Sequence, residues 1–518
     1  MEKLVSTKTM EAIDSKAQKE WAIPPLILME QAGVRAWRAF IAKDPQQWEN
    51  CKVTFIAGGG NNGGDALVMA REALFTNFKD ITIILLGSRL SEASVIQRKI
   101  VENLGMKVVE LEQNGAIGEE ARKIIGESDL LVDGIVGSGL KGPLRGVIEE
   151  LVELINGQKE RGCHILSIDI PSGCGDPFSA TGARIMANTT ITMGLHKVCA
   201  YHPALREGWG TIIKVNPSFP PQLLEEAPSE ASLSLVENLT LEPLEEGVYK
   251  NRRGHLALFA GSTTYPGAAK LVAKGAFNSR VGLVTLFCSD AVKPLISSEG
   301  SSLILRESQI SSEALKGRYN AIVAGPGWSE GRGEQLLEIL RSGLPTLLDA
   351  EAIALYATLI AQEKIGKTKH GDLILTPHPG ELKRFLESLY MPLLAQESDL
   401  SSSSDAFLDA LKRIAQLFEI TLVYKSSVVW IVDHTQPPVV VEGRNNALGV
   451  AGSGDVLSGI IGSLLAQGLP PFEAAHKGVL IHQKGGVEGR LKHGYFDSDT
   501  LVAEVGLVCR EAERRGVK

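Results

Sequence analysis

Gly452-Ser453-Gly454-Asp455 sets a carboxylate behind a turn of small residues. The turn lies within 446–468, which is glycine-rich at first and becomes apolar, with helical patterning, from Asp455 onward. Such a turn leaves backbone N–H groups uncovered, and the helix behind it aims its positive dipole end at the same place, so the stretch reads as an anion cradle. A carboxylate repels phosphate. Asp455 is therefore suited to taking a proton from a group beside the anion rather than to holding the anion itself. The pattern predicts chemistry at a hydroxyl next to a nucleotide phosphate.

Three glycine-bearing turns in the first half carry a second set of groups. Gly58-Gly-Gly-Asn-Asn-Gly-Gly-Asp65 follows a run of strand character and opens a helix, an arrangement that puts a phosphate on a helix N-terminus. It is not G-x-G-x-x-G with an acid about twenty residues on, so an ordinary dinucleotide fold is a poor match. Asp133-Gly-Ile-Val-Gly-Ser-Gly-Leu-Lys-Gly-Pro143 and Asp169-Ile-Pro-Ser-Gly173 also follow strand-like runs. Asn62, Asp133 and Ser172 offer hard oxygen ligands, suited to a monovalent or divalent cation rather than zinc. Lys141 and Asp169 are a candidate acid/base pair. A single such Asp serves equally well as a turn cap. Three turns at the carboxyl ends of strands in one sheet point to a ligand site.

The second half repeats the plan. Gly261-Ser-Thr-Thr-Tyr-Pro-Gly-Ala-Ala269 joins a strand to a helix and allows close approach of a flat ring or a phosphate. Gly325-Pro-Gly327 and Asp349 follow further strands. Thr376-Pro-His-Pro-Gly-Glu381 is a loop fixed by prolines, which holds His378 and Glu381 at the sheet edge. Lys425 ends another strand, within reach of a nucleotide phosphate.

The elements that must position these groups alternate. Two helices are predicted over 9–20 and 26–42. Strands follow at 52–57, 81–86, 107–110, 129–132 and 164–168, with helices at 65–75, 92–104 and 147–155. Continuous apolar strands between helices mean a parallel sheet covered on both faces. Near 215 the pattern stops in a Pro- and Glu-rich segment. A second α/β series then runs through strands at 254–260, 283–287, 320–324, 345–348, 372–375, 420–424, 428–432 and 438–441. The Ser401–Ser404 run reads as an exposed helix start. The expected fold class is α/β with two doubly wound domains, over 1–222 and 248–518, joined by a linker at 223–247.

The chain has 518 residues, 44% of them hydrophobic and 22% charged, which is the composition of a soluble globular protein of more than one domain. A net charge of −8 argues against a nucleic-acid partner. Six scattered cysteines show no metal spacing and fit a reducing compartment. No run suits a signal peptide or membrane span, so a cytoplasmic location is expected.

GGGNNGGD, DGIVGSGLKGP and DIPSG resemble the NAD(P)HX epimerase family, the YjeF N-terminal domain, with its Rossmann-like sandwich. GSTTYPGAAKLVAKGA, GPG, TPHPGE and NALGVAGSGDVLSG resemble the ADP/ATP-dependent NAD(P)HX dehydratases, which are ribokinase-like. Both halves occur in this order in bifunctional nicotinamide-nucleotide repair enzymes, and the resemblance spans about 10–512. Three positions depart from the usual pattern: Gln31 where asparagine is usual, and Ala66 and Ser426 where glycine is usual.

The resemblance implies that the first domain interconverts the R and S epimers of NADHX or NADPHX, which are nicotinamide nucleotides hydrated at C6. Asn61, Asn62, Gly63, Gly64 and Asp65, with Gly137, Ser138, Gly139, Leu140, Gly142 and Pro143, would line its substrate site. Asn62, Asp133 and Ser172 would hold K⁺, and Asp169 would touch substrate with Lys141 near it. The second domain would dehydrate the S epimer at the expense of ADP or ATP carrying Mg²⁺. Asp455 would be the base. Ala268, Gly327 and His378 would contact the hydrated nucleotide. Lys425, Asn446, Ala451, Gly452, Ser453 and Gly454 would contact ADP. A homo-oligomer is also implied. The alternative is a ribokinase-like kinase of a small alcohol, such as hydroxymethylpyrimidine, beside a binding or scaffold domain.

Overall fold

The computed structural model describes residues 1–516 apart from 77, 88–89, 112–115, 141, 177, 179–181, 297–301, 330, 368–371 and 443–444. Contacts divide the chain into one unit of 2–231 with 400–405 and another of 232–399 with 406–518.

The first unit begins with β1 (Glu2–Val5) and two helices, α1 (Thr7–Lys19) and α2 (Pro25–Ile41). Then come β2 (Lys52–Ala57), α3 (Asn61–Phe75), β3 (Asp80–Leu86), β4 (Lys107–Leu111), β5 (Leu130–Gly134), β6 (His164–Ile168), β7 (Thr189–Met193), β8 (His196–Lys197) and β9 (Thr211–Val215). The main sheet has the order β4-β3-β2-β5-β6-β7-β9, and every pairing in it is parallel. β1 pairs with β8. Side chains alternate across a strand, so Val53, Phe55 and Ala57 join the core beneath α2 and α3, while Ile56 joins the core on the opposite face. Phe55 and Ile56 are both fully buried, each stabilising the fold by roughly 1.5–3 kcal/mol.

The chain runs from β2 outward through β3 and β4, then returns to β5 on the other side of β2. Such a reversal opens a crevice at the carboxyl ends of the two strands, the usual ligand position in an open α/β sheet. The Gly58–Asp65 turn and Asp133 lie at those two ends.

In the second unit the strands are β10 (Ala231–Ser234), β11 (His255–Phe259), β12 (Leu283–Cys288), β13 (Ile304–Glu307), β14 (Ala321–Ala324), β15 (Thr346–Leu348), β16 (Leu373–Leu375), β17 (Thr421–Tyr424), β18 (Val428–Asp433) and β19 (Val439–Glu442). They follow the order β13-β12-β11-β14-β15-β16-β17-β18-β19-β10, parallel except for the two hairpin pairings of β18. The reversal here lies between β11 and β14, where the 261–269 and 325–327 turns meet. α4 (Pro266–Asn278) follows β11, α5 (Pro379–Ser388) follows β16, and α6 (Ser453–Ala466) and α7 (Pro471–His493) close the core. Gly459 lets α6 settle onto α4, since a Cβ there would stand 2.2 Å from the Val272 carbonyl oxygen.

Two expectations need correction. The Ser401–Ser404 run does lead into a helix, Ser404–Phe418, but the start is not exposed: Ser404 is fully buried, and its N–H donates to Asp176 Oδ1 at 3.0 Å. Strands β1, β7, β8 and β9 were absent from the sequence reading. The segment expected as linker, 223–247, carries the end of the helix Pro221–Glu226 and β10, whose Ser232, Leu233 and Ser234 pair with Val439, Val440 and Val441.

Candidate active sites

In the first unit a cavity of about 590 Å³ opens at the β2/β5 reversal. Asn61, Asn62, Asp65, Gly137, Ser138, Gly139 and Asp169 all line it. Gly63, Gly64, Leu140, Gly142 and Pro143 do not; the first two are buried inside α3. Lys141 lies outside the described residues.

Asp133, at the end of β5, is buried with all its bonds made by short-range donors. Oδ1 accepts from the Ser172 hydroxyl at 2.6 Å and the Ile135 N–H at 3.2 Å. Oδ2 accepts from the Ser167 hydroxyl at 2.8 Å and the Ser172 N–H at 2.9 Å. Burial pushes its carboxyl up, against the pull of those hydrogen bonds. The Ser172 hydroxyl also lies 3.1 Å from the Val136 carbonyl, so its proton can turn there and free Asp133 Oδ1. The Asn62 side chain lies against Gly137, and its buried amide nitrogen has no protein partner. Nitrogen and oxygen of an amide are assigned from their surroundings, so an amide turned over would present oxygen at this orphaned position. Carboxylate, hydroxyl, carbonyl and amide oxygens are a hard donor set. Among the described residues no cluster of three His, Cys, Asp or Glu side chains suits a softer metal.

Asp169 sits in a left-handed conformation (φ 61°), which for a residue with a Cβ costs energy and marks a constrained position. Its Oδ1 accepts from the Met193 N–H at 2.9 Å and from Lys197 Nζ at 2.5 Å. Lys197 is 1% exposed and also donates to the Thr192 hydroxyl and the Met193 carbonyl. The sequence reading missed this lysine. It stands in the two-residue β8, after the single-glycine turn at Gly194 rather than in a glycine-rich run. Burial raises the Asp65 carboxyl well above its ordinary value, and Asp169 and Asp14 add to the rise. Asp14, from α1, lines the same cavity and is itself raised by burial. A carboxyl that burial pushes toward its protonated form and an ion-paired carboxylate in one cavity can move a proton in opposite senses.

In the second unit a cavity of about 360 Å³ is lined by Ala268, Gly327 and Asp455, together with Tyr265, Trp328, Glu351, Glu381 and Arg384. His378 does not line it. His378 caps α5 through Nδ1, which accepts from the Gly380 and Glu381 N–H groups, while Glu381 accepts from the His378 N–H at 2.8 Å. The loop thus orients Glu381 toward the cavity and leaves the imidazole half exposed.

Asp455 stands in the first turn of α6, and burial first, then the Asp349 carboxylate, pushes it up to about 7, against the pull of Lys425. The turn before it is pinned from three sides. The Ser453 hydroxyl donates to the Leu448 carbonyl, Ser498 donates to the Ala451 carbonyl, and buried His482 donates through Nε2 to the Ser453 carbonyl at 2.9 Å. Burial lowers His482 to about 4, so it is a neutral donor. Asn446 lies in the short helix Asn446–Leu448 that leads into the turn. Lys425 Nζ lies 3.6 Å from where a Cβ on Gly454 would stand and 2.8 Å from Asp349 Oδ1. Ser426 turns its hydroxyl to the Val428 carbonyl and keeps an ordinary φ, so this position does not need glycine's freedom.

Gly452 does need it. Its φ is 88°, and a Cβ would stand 2.3 Å from Leu271 Cδ1. Gly452→Ala is therefore expected to cost about 1–3 kcal/mol and to lower the unfolding temperature by several degrees in calorimetry. An unchanged transition would show that the turn tolerates strain.

Residues 25–199 match the family described as YjeF-related protein N-terminus, and 256–505 match the family described as NAD(P)H-hydrate dehydratase. The bifunctional NAD(P)H-hydrate repair enzyme Nnr of Coxiella burnetii is 28% identical over 487 residues, covering 90% of this chain and 93% of its own. The Escherichia coli K12 enzyme of the same name is 29% identical over 474 residues, covering 88% and 83%. Among solved structures, the Bacillus subtilis ADP/ATP-dependent NAD(P)H-hydrate dehydratase co-crystallised with ATP/Mg²⁺ is 24% identical, with a TM-score of 0.45, covering 55% of this chain and 99% of that one.

Proposed function

We infer a two-step repair reaction for this chain, which belongs to the family of bifunctional NAD(P)H-hydrate repair enzymes. The first unit epimerises R- and S-NAD(P)HX, and the second dehydrates the S epimer to NAD(P)H at the expense of ADP or ATP. The observation that carries the second step is Asp455. It is a carboxylate set close to neutrality, at a helix N-terminus, at the edge of a cavity able to hold a nicotinamide ring.

Asp455 takes the proton of the C6 hydroxyl as its oxygen attacks the terminal phosphorus of the nucleotide, releasing AMP from ADP. The Gly452, Ser453 and Gly454 turn and Lys425 hold the phosphoryl charge as it develops. The ring-nitrogen lone pair then expels phosphate from C6, and loss of a proton from C5 completes the double bond of the dihydronicotinamide. Glu381, at the cavity edge, is the hard carboxylate that would hold Mg²⁺, which would supply positive charge to the nucleotide phosphates.

In the first unit, Asp169 would contact the hydrated ring, and Asn62, Asp133 and Ser172 would hold K⁺. The orphaned Asn62 amide and the oxygen donors around it support that ion. Asp65, which burial pushes toward its protonated form, is placed to protonate the departing C6 hydroxyl while the ring nitrogen pushes. Water returning to the opposite face passes its proton to Asp169 and gives the other epimer.

The deciding assay incubates hydrated NADH, as mixed epimers, with ADP and with ATP in parallel. Absorbance characteristic of NADH should return in full. Accumulation of a stable phosphoester of an added pyrimidine alcohol, with no NADH formed, points to a small-alcohol kinase instead. A base must be ionised to act, so the dehydration rate should fall about tenfold per unit as pH drops below about 7. A rate that stays flat from there into the acid range removes Asp455 as the base.

A further inference from the structure

Asp349 ends β15 and is 3% exposed. Its Oδ1 accepts from Lys425 Nζ at 2.8 Å and from the Ala350 N–H at 3.0 Å, and its Oδ2 accepts from the Ser458 hydroxyl at 2.7 Å. Ala350, next in the chain, is held at φ 50°, a strained conformation for a residue with a side chain. Ser458 lies three residues after Asp455 on α6, so the two occupy one face of that helix. Lys425 in turn reaches the Gly454 end of the phosphate-binding turn. A single buried carboxylate thus ties the lysine to the helix that carries the base, without itself lining the cavity.

We propose that Asp349 is a positioning residue for phosphoryl transfer, holding the Lys425 ammonium against the Gly452, Ser453 and Gly454 turn and tying it through Ser458 to the helix that carries Asp455. The inference rests on the dehydratase reading given above. A lysine on a flexible stem holds a phosphate well only if its direction is fixed, and the Asp349 bond fixes it. A like charge nearby makes Asp455 harder to ionise, hence a stronger base once ionised. The other charged or titratable groups around Asp455 are Lys425 from β17, Glu351 after β15, Glu381 and Arg384 from α5, and His482 from α7 behind the turn. Of these, Lys425 opposes the effect, and Asp349 is the carboxylate that most raises Asp455 after burial itself.

The test compares wild type, Asp349→Asn, Asp349→Glu and Ser458→Ala, each checked for folding by thermal unfolding. kcat and KM for ADP are measured across pH. Asp349→Asn should raise KM for ADP about tenfold or more, through loss of a charged hydrogen bond that orients Lys425. It should also move the acid limb of kcat down by about one pH unit, as the like charge beside Asp455 disappears. Asp349→Glu should bring that limb back toward wild type. An Asp349→Asn enzyme with lowered stability but unmoved KM and acid limb overturns the proposal. Should Asp349→Asn fail to fold, Ser458→Ala decides, with a several-fold rise in KM for ADP in favour and an unchanged KM against. A wild type that binds ADP but forms no NADH overturns the dehydratase reading and the inference together. An active wild type with an unmoved Asp349→Asn profile overturns the inference alone.

Discussion

Asp455→Asn lowers dehydration by about 10²–10⁴-fold while ADP still binds, the range by which a positioned base accelerates proton transfer. Asparagine keeps the shape of the side chain and cannot accept the proton. The Gly452, Ser453 and Gly454 turn is held by Leu448, Ser498 and His482, none of which depends on Asp455, so the nucleotide site persists. Single-turnover rates and ADP titration separate the two effects. Turnover within a few-fold of wild type would rule out Asp455 as the base.

The same variant should unfold at a higher temperature than wild type near pH 8. Asp455 is raised from 3.8 to about 7 in the folded chain, chiefly by burial. Folding therefore favours its protonated form. Stability is greatest below the ordinary value, falls as pH rises between about 4 and 7, and stays low above that. Asparagine resembles the protonated form at every pH, so its advantage should vanish near pH 4. A melting difference that does not change with pH would contradict this reading of the site.

Asp169→Asn abolishes epimerisation by a comparable factor and leaves dehydration of the S epimer intact. The carboxylate is held by the Met193 N–H and Lys197 Nζ, so the amide occupies the same place with no charge to offer the substrate. Mixed epimers given to this variant with ADP should yield NADH only from the S fraction, and the R form should remain at the slow uncatalysed rate of exchange. Asp169→Ala is the harsher version. It leaves a buried ammonium without its partner, at a stability cost of about 3–5 kcal/mol. Full recovery of NADH by Asp169→Asn would remove Asp169 from the catalytic machinery.

The glycine turns were legible because their chemistry is local. Gly58–Asp65, Asp133, Asp169 and the 261–269 turn each announce a strand ending in a tight turn, and the structure puts each at such an end; Gly452–Asp455 announces a helix start, and α6 begins at Ser453. Strand spans in the parallel cores were legible for the same kind of reason, since unbroken apolar runs buried on two faces leave little ambiguity. β7 and β9 were not. Thr189–Met193 and Thr211–Val215 are short, carry threonine or lysine among their apolar residues and follow irregular segments, so no unbroken apolar run marks them. Their strand character comes from pairing with β6 and with each other.

By itself the sequence determined the two α/β series, the places where backbone N–H groups lie bare, and the aspartates set at those places, because turn chemistry and hydrophobic period act over a few residues. Only the tertiary structure decided the partners. Asp169 meets Lys197 twenty-eight residues on, and Asp349 meets Lys425 seventy-six residues on. Asp169 follows β6, whose neighbour β7 runs on into Lys197, and Asp349 and Lys425 follow β15 and β17, which lie on either side of β16; strand order is settled by the packing of whole faces rather than by any local spacing. The Gly452–Asp455 turn changes accordingly: the sequence supplied a cradle and a carboxylate, and folding supplied the burial and the Asp349 neighbour that push the carboxylate up to about 7.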